Sequence, residues 1–176
     1  MRHLILLRHA KAVATSPDGD FARPLSPRGR LQASNMGLWL ATQPFAPDAL
    51  MASPALRTKA TADLVREALA AKPARHDEME LYNAPAETIL ALARASDTNV
   101  ASLLMVGHNP GMAELANILC GAGDPRARRA MAEKFPTCAC AVLSFDVKTW
   151  RSMAPGGASL VAYATPKALG ASKDDA

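Results

Sequence analysis

Leu4-Ile-Leu-Leu-Arg-His-Ala-Lys11 decides how this chain is read. A short apolar run bounded by polar residues predicts a strand buried on both faces. The strand delivers Arg8 and His9 at its end. In open α/β sheets the ligand sits outside the carboxyl ends of the strands, so this pair stands where chemistry is expected. The design returns a hundred residues later in Leu103-Leu-Met-Val-Gly-His-Asn-Pro-Gly111, a second apolar run ending in His108.

Working outward, strands are expected at 2–7, 48–52, 79–82, 100–107, 137–146 and 158–165. Helices alternate with the first four. Ser26-Pro27 is a helix start, with Ser at N-cap and Pro at N1. Its helix runs to Pro44, with Leu31, Met36, Leu38, Trp39 and Leu40 as the inner stripe. Ser53-Pro54 opens the next by the same device, with Leu56, Ala60, Leu64, Val65 and Leu69 inside. Further helices are expected at 86–95, from Asn109-Pro110 (Asn at N-cap) to 120, and at 126–134. The last two strands are joined by too short a link for a helical crossover, so they pair antiparallel. Alternating strands and helices with a β-β ending imply a three-layer α/β/α sandwich on a mostly parallel sheet. A single domain over 1–166 is expected, followed by a disordered polar tail at 167–176.

Composition narrows the functions. A hydrophobic fraction of 49% and a charged fraction of 20% describe an ordinary globular chain. The net charge of +4 favours anionic ligands. The densest basic run, Arg126-Ala-Arg-Arg129, has no interleaved aromatics, which argues against nucleic acid. Cys120, Cys138 and Cys140 have no metal-binding spacing and read as small buried hydrophobes. The apolar run after Met1 is too short to span a bilayer or to serve as a signal peptide, so no membrane association and a cytoplasmic location are expected.

By the right-handed crossover rule, the carboxyl ends of the first, second and fourth strands line one edge. Arg8, His9, Arg57 and His108 can therefore converge. A first-turn Arg57 opposes the helix dipole; it is either solvated or held there for an anion. The set lacks the carboxylates of a magnesium site and the ligand trio of a zinc site, so no metal and no cofactor is expected. It suits a phosphoryl dianion instead, with Arg8 and Arg57 as bidentate forks. Neutral His9 can attack phosphorus, because the neighbouring guanidinium groups disfavour its protonation. The loop from Lys11 to Arg23 either covers this site or runs free across the surface.

Four motifs carry a family resemblance. Leu7-Arg8-His9-Ala10-Lys11, Arg23-Pro-Leu-Ser-Pro-Arg-Gly-Arg30, Ser53-Pro-Ala-Leu-Arg-Thr-Lys-Ala-Thr-Ala62 and Val106-Gly-His-Asn-Pro-Gly111 resemble, in order and spacing, the histidine phosphatase (phosphoglycerate mutase-like) superfamily. The chain looks most like its SixA-type phosphohistidine phosphatases, over roughly residues 1 to 165. The resemblance implies a six-stranded sheet with one antiparallel strand. It also implies His9 as the nucleophile that becomes phosphorylated, with Arg8, Arg57 and His108 as the phosphate pocket.

Larger members carry an acidic proton donor in a mid-chain insertion that this chain lacks. Glu80 is the local candidate for that role, or a solvated carboxylate. An alkoxide leaving group needs such an acid, whereas phosphohistidine departs once its nitrogen is protonated. The expected activity is therefore metal-independent hydrolysis of phosphohistidine on a protein, such as a phosphorelay histidine domain. Two alternatives stand beside it. One is a small-molecule phosphomonoesterase acting on a phosphorylated metabolite, with Glu80, Lys11 and the Asp18–Asp20 loop as substrate contacts. The other is a non-catalytic module that binds phosphorylated ligands.

Overall fold

The computed structural model describes residues 1–170. Seven strands and five helices follow in the order β1 (Arg2–Arg8), α1 (Pro27–Ala41), β2 (Ala49–Ala52), α2 (Leu56–Ala68), β3 (Arg75–Asp77), α3 (Ala86–Arg94), β4 (Ser102–Gly107), α4 (Gly111–Leu119), β5 (Cys120–Gly123), α5 (Pro125–Glu133), β6 (Cys140–Phe145) and β7 (Ala158–Ala164). They form one sheet ordered β3-β2-β4-β1-β6-β7-β5. β6 alone runs against its neighbours, pairing antiparallel with β1 and β7, while β5 rejoins the common direction beside β7.

The expectation of six strands is corrected to seven. The addition, β5, is Cys-Gly-Ala-Gly, whose composition reads as a chain break rather than a strand. Gly121 is required there, because a Cβ would lie 1.9 Å from the Gly156 carbonyl oxygen. The third strand also moves, to Arg75–Asp77, and Met79–Leu81 is a single 3₁₀ turn instead. β3 is a partly exposed edge carrying charged side chains, so it has no apolar signature.

β1 and β4 are paired in register, His3 opposite Ser102 through Arg8 opposite Gly107, and both are buried on two faces. Leu4, Leu6, Leu103 and Met105 pack with α3, α4 and α5 in one apolar cluster. Ile5, Leu7, Leu104 and Val106 pack with α1 and α2 in a second, together with Cys138 and Cys140. Burial pushes the Cys138 thiol up to about 12. Of the tail expected from residue 167, the first part is a turn in which the Leu169 N–H donates to the Thr165 carbonyl and the side chain packs on the second cluster. The rest of that stretch lies outside the described residues.

α1 begins as read, with the Ser26 hydroxyl accepting from the Gly29 N–H. Its buried face is different. Gly29, Gln32, Ala33, Met36, Gly37 and Leu40 are inside, whereas Leu31 and Leu38 are exposed. Small residues win because α1 packs close: a Cβ on Gly37 would lie 2.9 Å from Val65 of α2. The reading of α2 is corrected likewise, since Leu56 is exposed while Arg57, Thr58 and Thr61 are buried.

Gly29 ties this packing to the site. A Cβ there would lie 1.9 Å from the Lys11 carbonyl oxygen, the group that accepts from the Ser26 N–H. Gly29→Ala would gain roughly 1 kcal/mol of helix propensity, but the clash with fixed backbone costs about 1–3 kcal/mol or more. The clash decides the sign. Gly29→Ala is expected to melt several degrees below the wild type by calorimetry.

Candidate active site

β1 ends at Arg8, and the next residue extends the sheet: the His9 N–H donates to the Gly107 carbonyl, and its own carbonyl accepts from the Cys138 N–H, each at 3.0 Å. The His9 backbone is thus clamped between the end of β4 and the entry to β6. Its ring is fixed too, with Nδ1 2.8 Å from the Ala10 carbonyl oxygen. A carbonyl only accepts, so Nδ1 carries the proton and Nε2 bears the lone pair. The turn is held from α2, where the Thr61 hydroxyl accepts from the Ala10 N–H and donates to the Arg57 carbonyl.

Arg57 sits in the first turn of α2 and is only 2% exposed. Its Nε donates to His9 Nε2 at 3.3 Å, and its Nη2 lies 3.3 Å from His108 Nδ1. The remaining capacity of the fork goes to the loop after β1: Nη1 donates to the Asp20 carbonyl at 2.7 Å and Nη2 to the Asp20 carboxylate at 3.0 Å. The loop that was open to two readings therefore reaches the site. Tyr82 closes the other side, its hydroxyl donating to Asp20 at 2.6 Å and its ring meeting His108 edge-on. Phe21 packs against Tyr82. Asp20 is held well below the usual carboxylate range, first by the Tyr82 hydroxyl and then by Arg23 and Arg57.

His108 leaves β4 and is buried, its Nε2 2.7 Å from the hydroxyl of the buried Ser53. Ser53 was read as a helix cap; instead Ala55 takes that position and the Ser53 hydroxyl turns to His108. A hydroxyl donates or accepts, so Ser53 supports either neutral tautomer of His108. Asn109 does not cap α4 either; its amide donates to the Phe135 carbonyl, which also accepts from Arg8 at 3.1 Å. The Arg8 Nε is a buried donor without a hydrogen-bond partner among the described residues.

The charges set the titration. Burial first, then the positive charge of Arg57 and Arg8, lowers the His9 pKa to about 4, against the opposing Ala10 carbonyl. Burial, His9 and Arg57 lower that of His108 to about 3. In the unfolded chain both titrate near 6.5. The native state thus binds fewer protons between about 6.5 and 4, and stability falls as pH drops through that window. Two results are expected: nitrogen-detected NMR shows His9 and His108 neutral at pH 5, and urea midpoints are lower at pH 5 than at pH 7. Titration of either ring near 6.5 would contradict the geometry.

Two expected site residues are not drawn in. Glu80 is exposed in its 3₁₀ turn, and its carboxylate makes no hydrogen bond or ion pair among the described residues. The Lys11 side chain is exposed, while its carbonyl docks α1. Asp20, expected only as part of a loop of substrate contacts in the monoesterase alternative, is drawn in by Arg57, while Ser53, Thr61 and Tyr82 are site residues that the sequence reading does not name. Only Ser53 and Thr61 fall within a quoted motif. Among the described residues no group of three or more His, Cys, Asp or Glu side chains is placed to hold a metal ion. No helix there is long and apolar enough to cross a membrane.

Comparison with known proteins places this geometry among relatives. Residues 4–82 match the family model of the histidine phosphatase superfamily (branch 1). An uncharacterized protein of Mycobacterium tuberculosis (strain H37Rv) is 37% identical over 163 residues, which span 92% of this chain and 100% of that protein. The structure proposed as phosphohistidine phosphatase SixA of Nakamurella multipartitia superposes with a TM-score of 0.82 at 30% identity, covering 94% of this chain and 96% of that one. That of the protein histidine phosphatase SixA complexed with tungstate gives 0.77 at 25% identity, covering 95% and 99%.

Proposed function

The chain belongs to the histidine phosphatase superfamily, and from that premise we propose that it hydrolyses phosphohistidine on a protein, without metal, through a phosphorylated His9. The observation that carries the reading is the fixed His9 ring: Nδ1 is committed to the Ala10 carbonyl and Nε2 faces the Arg57 guanidinium. A phosphoryl dianion entering there meets a neutral nucleophile between Arg57 and Arg8.

The first step forms a bond from His9 Nε2 to phosphorus as the bond from phosphorus to the substrate imidazole breaks. The leaving nitrogen departs with a proton already taken from solvent. In the second step a water oxygen bonds to phosphorus, Nε2 departs as neutral imidazole, and the water proton is released with the phosphate. Charge on the equatorial oxygens is met by Arg8 and Arg57, which supply the electrostatic work a metal does elsewhere. The Arg57 guanidinium only donates, so His108 accepts at Nδ1 and donates from Nε2 to Ser53, which keeps the ring neutral throughout. Asp20, ionised by its partners, is a poor acid, which suits a leaving group that needs none.

Steady-state hydrolysis of a phosphohistidine peptide, with a chelator present, tests the reading against a panel of sugar and nucleotide monophosphates. Turnover of the peptide at least a hundredfold above the monoesters is expected, unaffected by chelation. Preference for a monoester, or loss on chelation, would overturn it. Glu80→Gln is expected to leave peptide turnover within about twofold, because no leaving-group acid is required. A loss of 10²-fold or more would restore Glu80 as the proton donor.

A further inference from the structure

The carboxyl edge of the sheet carries a concavity of about 530 Å3 whose lining includes none of Arg8, His9, Arg57 and His108. It opens between the start of α1, the end of α5 and the chain leaving β7, and Arg28, Gln32, Lys134, Thr137, Thr165 and Lys167 line it. Its size falls within the range of ligand-binding pockets.

Two observations show that it is shaped for an occupant. Gln32 is only 6% exposed, yet its side-chain oxygen has no hydrogen-bond partner among the described residues. A buried amide left so is normally satisfied by something. Arg28 likewise keeps a buried Nε without a partner. The second observation is charge. Arg28, Lys134 and Lys167 line the cavity, and among the described residues no Asp or Glu does.

The cavity shares a wall with the reaction. In the segment from Lys134 to Cys138, the Phe135 carbonyl accepts from Arg8 and the Cys138 N–H donates to the His9 carbonyl. Pro136 and Thr137, between them, face the cavity. The Tyr163 hydroxyl pins the same segment by donating to the Lys134 carbonyl. An imidazole side chain is short, so a phosphohistidine that enters the catalytic pocket brings its own polypeptide against this rim.

We propose that the cavity is a docking subsite for an acidic segment flanking the phosphohistidine of the substrate protein. The Gln32 amide, which presents oxygen or nitrogen by a half-turn of its last torsion, pairs with a peptide group of that segment. Arg28, Lys134 and Lys167 take its carboxylates. The assignment rests on the phosphohistidine reading above and adds what the enzyme recognises beyond the phosphoryl group.

Two synthetic phosphohistidine peptides test it, identical except that three flanking residues are Glu in one and Ser in the other, with phosphoramidate as a donor that cannot reach the cavity. The wild type is expected to favour the Glu peptide at least tenfold in kcat/KM, through KM. Lys134→Glu with Lys167→Glu should abolish that preference and leave phosphoramidate turnover unchanged. Gln32→Leu, which removes the unpaired amide, should melt no lower than the wild type yet raise KM for the Glu peptide severalfold. Equal kcat/KM for the two peptides, or equal losses on peptide and phosphoramidate, would overturn the subsite. Wild-type protein that turns over neither peptides nor phosphoramidate would instead overturn the phosphohistidine reading itself. A preference seen only after deletion of residues 171–176, which include Asp174 and Asp175, would assign the cavity to the chain's own end and overturn the proposal.

Discussion

His9→Ala is expected to reduce turnover by on the order of 10⁴–10⁶-fold while still binding inorganic phosphate. The size follows from how little else in the site can act as nucleophile. His108 has both ring nitrogens engaged, Nε2 donating to Ser53 and Nδ1 accepting from Arg57, so it offers no free edge. Cys138 and Cys140 are buried in the apolar cluster under α1 and α2. Water could attack the substrate directly, but nothing holds it at the place that Nε2 occupies. Binding should survive because Arg57 keeps its first-turn position through Thr61, whose hydroxyl ties Arg57 to Ala10 without using the His9 ring. Acid-labile label from radioactive phosphoramidate should appear on the wild type and be absent from the variant. Label on both, or residual turnover above a few per cent, would remove His9 from the nucleophile's role.

Much of this site was legible in the chain because it rests on the two most apolar strands. Leu4–Leu7 and Leu103–Val106 are buried on both faces, and a run of large apolar residues is the strongest local signal for that environment. Their ends then fix Arg8, His9 and His108 without further information, and the crossover rule brings in Arg57. The unread parts share one physical reason: their structure is imposed by neighbours. Leu31, Leu38 and Leu56 look like core and are exposed, because close packing selects smallness over hydrophobicity, at Gly37 against α2 and at Gly29 against the Lys11 backbone. A spacing of four between small residues was the available signal. β3 and β5 are strands by pairing alone, one charged and one glycine-rich. Asp20 could not be singled out from Asp18, since only the fold of the loop decides which carboxylate meets Arg57. Tyr82 lies 62 residues from the group that its hydroxyl contacts, a separation no local pattern reports.

Arg57→Lys is the more demanding test of the charge argument, since it keeps the charge and removes the shape. A loss of kcat/KM of about 10³-fold or more is expected, the scale found when a guanidinium aimed at a transferring phosphoryl group is lost. Arg57 serves three directions at once, with Nε toward His9, Nη2 toward His108 and both Nη atoms on Asp20. A lysine ammonium is a point donor on a flexible stem and cannot span that set. Stability should change less than activity. The Arg57–Asp20 pair is half open to solvent through Asp20, and such pairs contribute roughly 0–1 kcal/mol. Because charge on the phosphoryl oxygens is stabilised most in the transition state, the loss should fall on kcat rather than on phosphate affinity. Measured kcat and KM, with the inhibition constant for inorganic phosphate, separate the two. A variant that weakens phosphate binding as much as it slows turnover would show that Arg57 merely attracts the dianion. A fall confined to kcat assigns the guanidinium fork to the transition state.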